Sequence, residues 1–168
     1  MTGRPGMLSC GSKRDGTTRR SRAWRAHGVK ALVEIHHGTI VPSASATRRF
    51  LDGFDPESVG VIYDPGNMVW EGHESYRLGL ETLGPYLAHV HAKNSAWRQR
   101  GRRGDGGLAW QAEWTPLDAG MVDLHDLFAA LRQIGYDGWV SVEDFSTERP
   151  LAERVRDNLR YLQRFLAP

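Results

Sequence analysis

Two rhythms of apolar residues alternate along the chain from Val29 onward. Short β-branched runs, "VKALVEIHHG", "SVGVIYDPGN", "LAHVHAKN" and "GWVSVEDF", each end in polar or charged residues. They read as strands. Between them apolar residues recur at helical spacing. "SASATRRFLDGF" opens on Ser43, a good N-cap. "ESYRLGLETLGPYL" places Tyr76, Leu80 and Leu83 on one face. "DLHDLFAALRQIG" does the same with Leu124, Leu127, Phe128 and Leu131, and Gly135 suits its C-terminal turn. "RPLAERVRDNLRYLQRFL" predicts a final helix with an apolar stripe of Leu151, Val155, Leu159, Leu162 and Phe165.

Strand and helix alternate at a spacing of about 28 residues, which predicts βαβ units and a parallel sheet, an α/β fold. The third unit is longer. It carries an insert, "SAWRQRGRRGDGGLAWQAEW", between its strand and its helix. In parallel α/β folds the polar residues at strand C-termini face the site, and inserts at that end decorate it.

Composition adds a boundary. Residues 1–30 hold eight Lys or Arg and one acid, while the remaining 138 hold 14 bases and 19 acids. Residues 1–28 are rich in Gly, Ser, Thr and Arg and lack hydrophobic periodicity, so they are expected to form a basic disordered leader. A nucleic-acid arm or an organelle transit peptide would call for an amphipathic pattern that this stretch lacks, and nucleic acid is not an expected partner. Residues 29–168 are expected to form the folded part. The single cysteine, Cys10, excludes an intrachain disulfide and a cysteine-based zinc knuckle. No apolar run approaches the roughly 20 residues that span a bilayer. A reducing, cytoplasmic setting is the default expectation.

The chemistry lies at the strand ends. Each strand finishes on one strong metal-ligand candidate: Glu34, Asp64, His91 and Glu143. Side by side, these strands would bring three carboxylates and an imidazole together. Without a cation the carboxylates would repel and shift one another's pKa values. A divalent cation (Mn, Mg, Zn or Co) resolves the conflict with an O3N shell that leaves room for water or substrate. Trp110, Trp114 and Trp139 could line a sugar-stacking wall, although packing accounts for them as well. His37, His73, His89 and His125 carry no such pattern and are expected to be structural or solvent-facing.

"VEIHHG", "YDPGNM", "HVHAKN" and "GYDGWVSVEDF", in this order, resemble the sugar phosphate isomerase/epimerase superfamily, the xylose isomerase-like TIM barrels. That group includes ketose 3-epimerases, hydroxypyruvate isomerase, inosose dehydratase and type IV apurinic endonucleases. The resemblance covers about residues 29–166. It implies that Glu34, Asp64, His91 and Glu143 bind the metal, and that Glu34 and Glu143 also move protons. It makes His36 a substrate contact and places Lys93 in an H-x-K-[DN] pattern; Asn67 and Arg98 complete the expected substrate-binding set. Asn67 stands where the epimerases and endonucleases have His. Trp97, with Arg98 beside it, stands where the epimerases have Arg.

The resemblance implies a partial TIM (β/α) barrel of about four βα units, the C-terminal half of an eight-stranded barrel. The implied activity is a metal-dependent sugar or sugar-phosphate isomerase or epimerase reaction through an enediolate. One alternative is a lyase of the inosose dehydratase type. Another is a non-catalytic barrel fragment or interaction module. The basic insert (Arg98, Arg100, Arg102, Arg103) could attract a phosphate or carboxylate, or could simply be a solvated loop. Two bare sheet edges predict a homo-oligomer or pairing with a complementing half-barrel.

Overall fold

The computed structural model describes residues 26–166, so all but the last three residues of the expected leader lie outside the described residues. In chain order the elements are β1 (Ala31–Glu34), α1 (Ala44–Phe50), β2 (Val59–Tyr63), α2 (Pro65–Trp70) and α3 (Tyr76–Leu83). Then follow β3 (Leu87–Ala92), β4 (Asn94–Arg102), β5 (Leu108–Thr115), α4 (Leu124–Gln133), β6 (Val140–Val142) and α5 (Leu151–Leu166).

Strands β1, β2, β3 and β6 form one parallel sheet in that spatial order. The α/β reading with four βα units therefore holds. The alternation of each strand divides its residues between two faces. Val61, Tyr63, Val90 and Ala92 are buried in a core they share with Leu80 and Leu83 of α3 and Leu127 and Phe128 of α4. Gly79 lets α3 come close: a Cβ there would sit 3.2 Å from Tyr63 Oη and 3.3 Å from Ala44 Cβ. The opposite face carries Leu32 and Glu34 from β1, and Ile62 from β2 with Asp64 just beyond it. His89 and His91 from β3, and Ser141 from β6 with Glu143 just beyond it, share that face. It is the face that bears the chemistry.

Two expectations are corrected. The insert is an ordered antiparallel hairpin, not a loop: β4 pairs with β5 in a register running from Asn94↔Thr115 to Arg102↔Leu108. "RGDGG" makes the turn, with Gly106 at φ +84. The second correction concerns α5. Its predicted stripe is buried only at Leu162 and Phe165, where Phe165 stacks on Phe128 at 4.9 Å. Leu151, Val155 and Leu159 are exposed and flank β6, an edge strand. The helical period is right, but a stripe is buried only as far as there is protein to cover it.

Candidate metal centre

Glu34 is the last residue of β1, and His91 is the next to last of β3. Asp64 and Glu143 each follow the last residue of their strand. The ladder continues past both outer strands: Ile35 N–H donates to Ile62 O at 3.1 Å and Glu143 N–H to Ala92 O at 3.1 Å. The backbones that carry the four side chains are thereby fixed relative to one another.

The side chains converge. One ligand atom from each of Glu34, Asp64, His91 and Glu143 lies within 4.8 Å of the others. His91 Nδ1 is 3.2 Å from Asp64 Oδ2, 3.5 Å from Glu34 Oε1 and 3.7 Å from Glu143 Oε2. Donors each about 2.1 Å from one cation are separated by about 3.0 Å at right angles and about 3.4 Å at tetrahedral angles. The three spacings from His91 fall near that range, and the O3N donor set suits a hard or borderline divalent ion. Charge agrees. Two of the three carboxylates, Asp64 and Glu143, face the Lys93 ammonium; with all three ionised and His91 neutral, two negative charges are left for a dication to balance.

Asp64 does two jobs. It is the N-cap of α2: its Oδ1 accepts from Asn67 N–H at 2.9 Å, with Pro65 at the first helical position. This leaves Oδ2 to face His91 and, at 3.3 Å, Lys93 Nζ. The "DPGN" motif is thus a helix start that aims one carboxylate oxygen into the cluster. Gly66 is required there, since a Cβ would lie 2.6 Å from Lys93 Cγ. Only a bare backbone lets the lysine stem pass.

Lys93 is 2% exposed, and its Nζ donates to Glu143 Oε2 at 2.6 Å. The ammonium also lies 4.3 Å from the Trp114 ring centre and 4.8 Å from that of Phe145. Asn67 is fully buried beneath the cluster. Its Nδ2 donates to Glu34 Oε1 at 3.3 Å and to Ile35 O at 3.2 Å, while its Oδ1 accepts from His37 Nδ1 at 2.9 Å. It ties β1 to α2.

The electrostatics follow from crowding. Burial first, then the charges of Asp64 and Glu143, push the Glu34 carboxyl above its ordinary value. The hydrogen bond to Asp64 raises His91 above the usual imidazole range. Burial opposes that rise, and the neighbouring carboxylates add to it. Glu34 and His91 therefore hold protons more readily in the cation-free cluster, and a bound cation would displace them.

Of the other expected contacts, His36 lies at the mouth, stacked on His37 at 4.5 Å. Arg98 is on the hairpin, where Nε pairs with Glu113 at 3.0 Å and Nη2 donates to Ala119 O. Arg100 pairs with the same glutamate. Strand alternation puts this arginine face opposite the face that carries Trp114.

The sequence reading offered Trp114 for a stacking wall but passed over the other members of an aromatic rim. His37 stacks on Trp70 at 4.5 Å, Trp70 lies 4.8 Å from Trp114, and Trp114 lies 5.7 Å from Phe145. His37, expected to be structural or solvent-facing, lies with its ring in this rim and bonds to Asn67. The period-2 position of Trp114 would have signalled its place only if the insert had been read as a strand. His89, by contrast, bonds to Ser141 on the neighbouring strand at 2.7 Å, consistent with a structural role.

Known proteins are similar to this chain in sequence and fold. The sequence profile of the family described as xylose isomerase-like TIM barrel matches residues 15–165. An inosose dehydratase of Lacticaseibacillus casei is 26% identical over 124 residues, which is 71% of this chain and 41% of that protein. A xylose isomerase-like TIM barrel protein from Mycobacterium smegmatis, solved in complex with magnesium, superposes with a TM-score of 0.67 at 22% identity, covering 96% of this chain and 53% of its own. The 3-keto-D-glucoside 4-epimerase of E. coli, solved in its apo form, gives 0.65 at 23% identity, covering 89% of this chain and 51% of its own. The chain spans about half the length of the relatives it matches. With four parallel strands, a carboxylate–imidazole cluster at their C-terminal ends and a profile match over most of its length, the chain belongs to the xylose isomerase-like TIM barrel family.

Proposed function

We propose that the cluster is the site of a divalent-cation-dependent isomerase or epimerase acting on a sugar or sugar phosphate. The observation that carries this reading is the convergence of four ligand atoms within 4.8 Å, with Glu34 and Glu143 entering from the two outer strands. A cation held there would draw negative charge onto a substrate carbonyl oxygen and a neighbouring hydroxyl, acidifying the adjacent C–H. Glu34 and Glu143 flank the space in front of Asp64 and His91. One takes the proton from carbon to give an enediolate. The other returns a proton, at the neighbouring carbon for isomerisation or on the opposite face for epimerisation. Lys93 orients Glu143 through its 2.6 Å hydrogen bond, and Asn67 orients Glu34.

A second reading is a lyase. The curated relatives from Lacticaseibacillus casei and Geobacillus kaustophilus are inosose dehydratases. Proton removal next to the carbonyl is common to both readings. In the lyase the abstracted proton would go to a β-hydroxyl, which leaves as water, instead of returning to carbon.

Solvent deuterium uptake into a panel of ketoses, followed by NMR, tests the first reading. Cation-dependent exchange at the carbon next to the carbonyl supports it. Loss of water from a polyol ketone selects the lyase. Neither reaction in a cation-loaded chain supports the non-catalytic fragment. The unpaired edges of β1 and β6 among the described residues support association with a second half-barrel, either a copy of this chain or a complementing one. Sedimentation at micromolar concentration is expected to show species larger than a monomer; a clean monomer contradicts self-association.

A further inference from the structure

Two imidazoles stand just beyond β1 at the mouth of the site. His36 and His37 stack at 4.5 Å, and His37 stacks on Trp70 at the same distance. The bonding of His37 fixes where its proton sits. Asn67 Nδ2 faces Ile35 O at 3.2 Å and Glu34 Oε1 at 3.3 Å. A carbonyl oxygen can only accept, so the amide nitrogen belongs on that side. Asn67 Oδ1 therefore lies on the other side, where the Lys93 ammonium is 3.5 Å away. His37 Nδ1, 2.9 Å from that oxygen, must carry the proton and donate it. In the neutral ring the lone pair is then on Nε2, which has no partner among the described residues.

The surroundings hold this acceptor still. Asn67 is fully buried and His37 is half-buried. His36 Nδ1 donates to His37 O at 2.7 Å, which pins the backbone between them. The donors also run in one direction, from His37 to Asn67 to Glu34. A hydroxyl that donates to Nε2 would add one link to this chain, and each link polarises the next.

The charges at the rim bear on what carries that hydroxyl. Lys93 is held by Glu143 at 2.6 Å and Asp64 at 3.3 Å. Arg98 and Arg100 both pair with Glu113, on the hairpin face opposite Trp114. Gly38, next to His37, donates its N–H to Glu71 Oε2 at 2.8 Å, which sets a further carboxylate at the rim. A phosphate dianion here would face a lone pair and a carboxylate, with each of these three cations already paired. A hydroxyl would find the acceptor it needs.

We propose that His37 is a substrate-binding residue whose Nε2 accepts a hydroxyl hydrogen, and that the site takes an uncharged polyhydroxy ketone rather than its phosphate ester. The proposal rests on the sugar reading of the cluster and narrows its substrate class.

The test titrates D-fructose and D-tagatose, each beside its own 6-phosphate, into the Mg²⁺-loaded full chain and follows binding by saturation-transfer NMR. A free ketose is expected to bind about tenfold tighter than its ester. His37→Phe keeps a flat ring in the stack and loses both nitrogens. It should weaken the free ketose about tenfold, while Mg²⁺ affinity by calorimetry is retained. His37→Gln, which can donate to Asn67 through Nε2 and accept through Oε1, should recover most of that loss. Nitrogen-15 NMR should find the His37 proton on Nδ1 and a shift of Nε2 when the ketose is added. Equal or tighter binding of the esters overturns the proposal and leaves the sugar reading standing. So does a His37→Phe chain that binds the ketose as before, or a proton found on Nε2 instead of Nδ1. An equal loss in both variants marks a packing effect, and a fall in Mg²⁺ affinity marks a scaffold of the metal centre; either overturns it. If neither ketose nor ester binds a chain that holds Mg²⁺, the sugar reading itself fails, and the proposal with it.

Discussion

The four ligand candidates form two unlike pairs. Asp64 and His91 come from the central strands; their side chains are 0% and 13% exposed. Glu34 and Glu143 come from the outer strands and are 33% and 31% exposed. The inner pair is locked: Asp64 caps a helix, and His91 is hydrogen-bonded to it. The outer pair leans in from either side, each glutamate held by one side-chain hydrogen bond, to Asn67 or to Lys93. A ligand that must hold a cation benefits from rigidity, whereas a base that must reach a carbon benefits from access. On the proposed reading the sheet provides both, because a strand's place in the order sets how much protein surrounds its end.

The largest expected break is Asp64→Ala. It removes the cap of α2 and leaves the buried Lys93 with one carboxylate fewer, so unfolding free energy should fall by about 3–5 kcal/mol. Urea denaturation measures this, and the same variant should lose divalent-cation binding. A stable Asp64→Ala chain that still binds the cation would erase the distinction between the pairs.

Glu143→Gln should behave in the opposite way. Its side chain is partly exposed and its shape is preserved, so the fold should change by no more than about 1 kcal/mol. Proton exchange into substrate should fall by about 10²–10⁴-fold, read as deuterium uptake from solvent. Unchanged uptake would remove Glu143 from the chemistry.

Lys93→Met probes the charge balance. The ammonium lies 2.6 Å from Glu143 Oε2 and 3.3 Å from Asp64 Oδ2, so it competes with a cation for the same oxygens. Its removal should tighten Mn²⁺ binding by about tenfold, measured calorimetrically. Weaker binding would show that the lysine acts mainly as a scaffold for the outer glutamate.

The central pair and the outer pair were equally legible in the sequence, because each closes an apolar run on a charged group. What distinguishes them was not, since burial depends on strand order and periodicity carries no order. Asn67 was named as a substrate contact, and its place as a buried hub was not legible for a related reason. Its partners, Glu34 and His37, lie 33 and 30 residues away in sequence. The hairpin was obscured by its four arginines, which read as a solvated loop; its alternation is clear only once the register Trp97↔Ala112 is known. The stripe on α5 was read correctly as a stripe, but Leu151, Val155 and Leu159 meet no core. Periodicity reports which face is apolar, and the surrounding chain decides whether it is covered.

The most direct test of the account is a calorimetric titration of Mn²⁺ into the metal-free full chain, beside Asp64→Ala and His91→Ala. The account predicts one cation per chain, lost in both variants. No binding by the unaltered chain, or binding that survives removal of both Asp64 and His91, would contradict it.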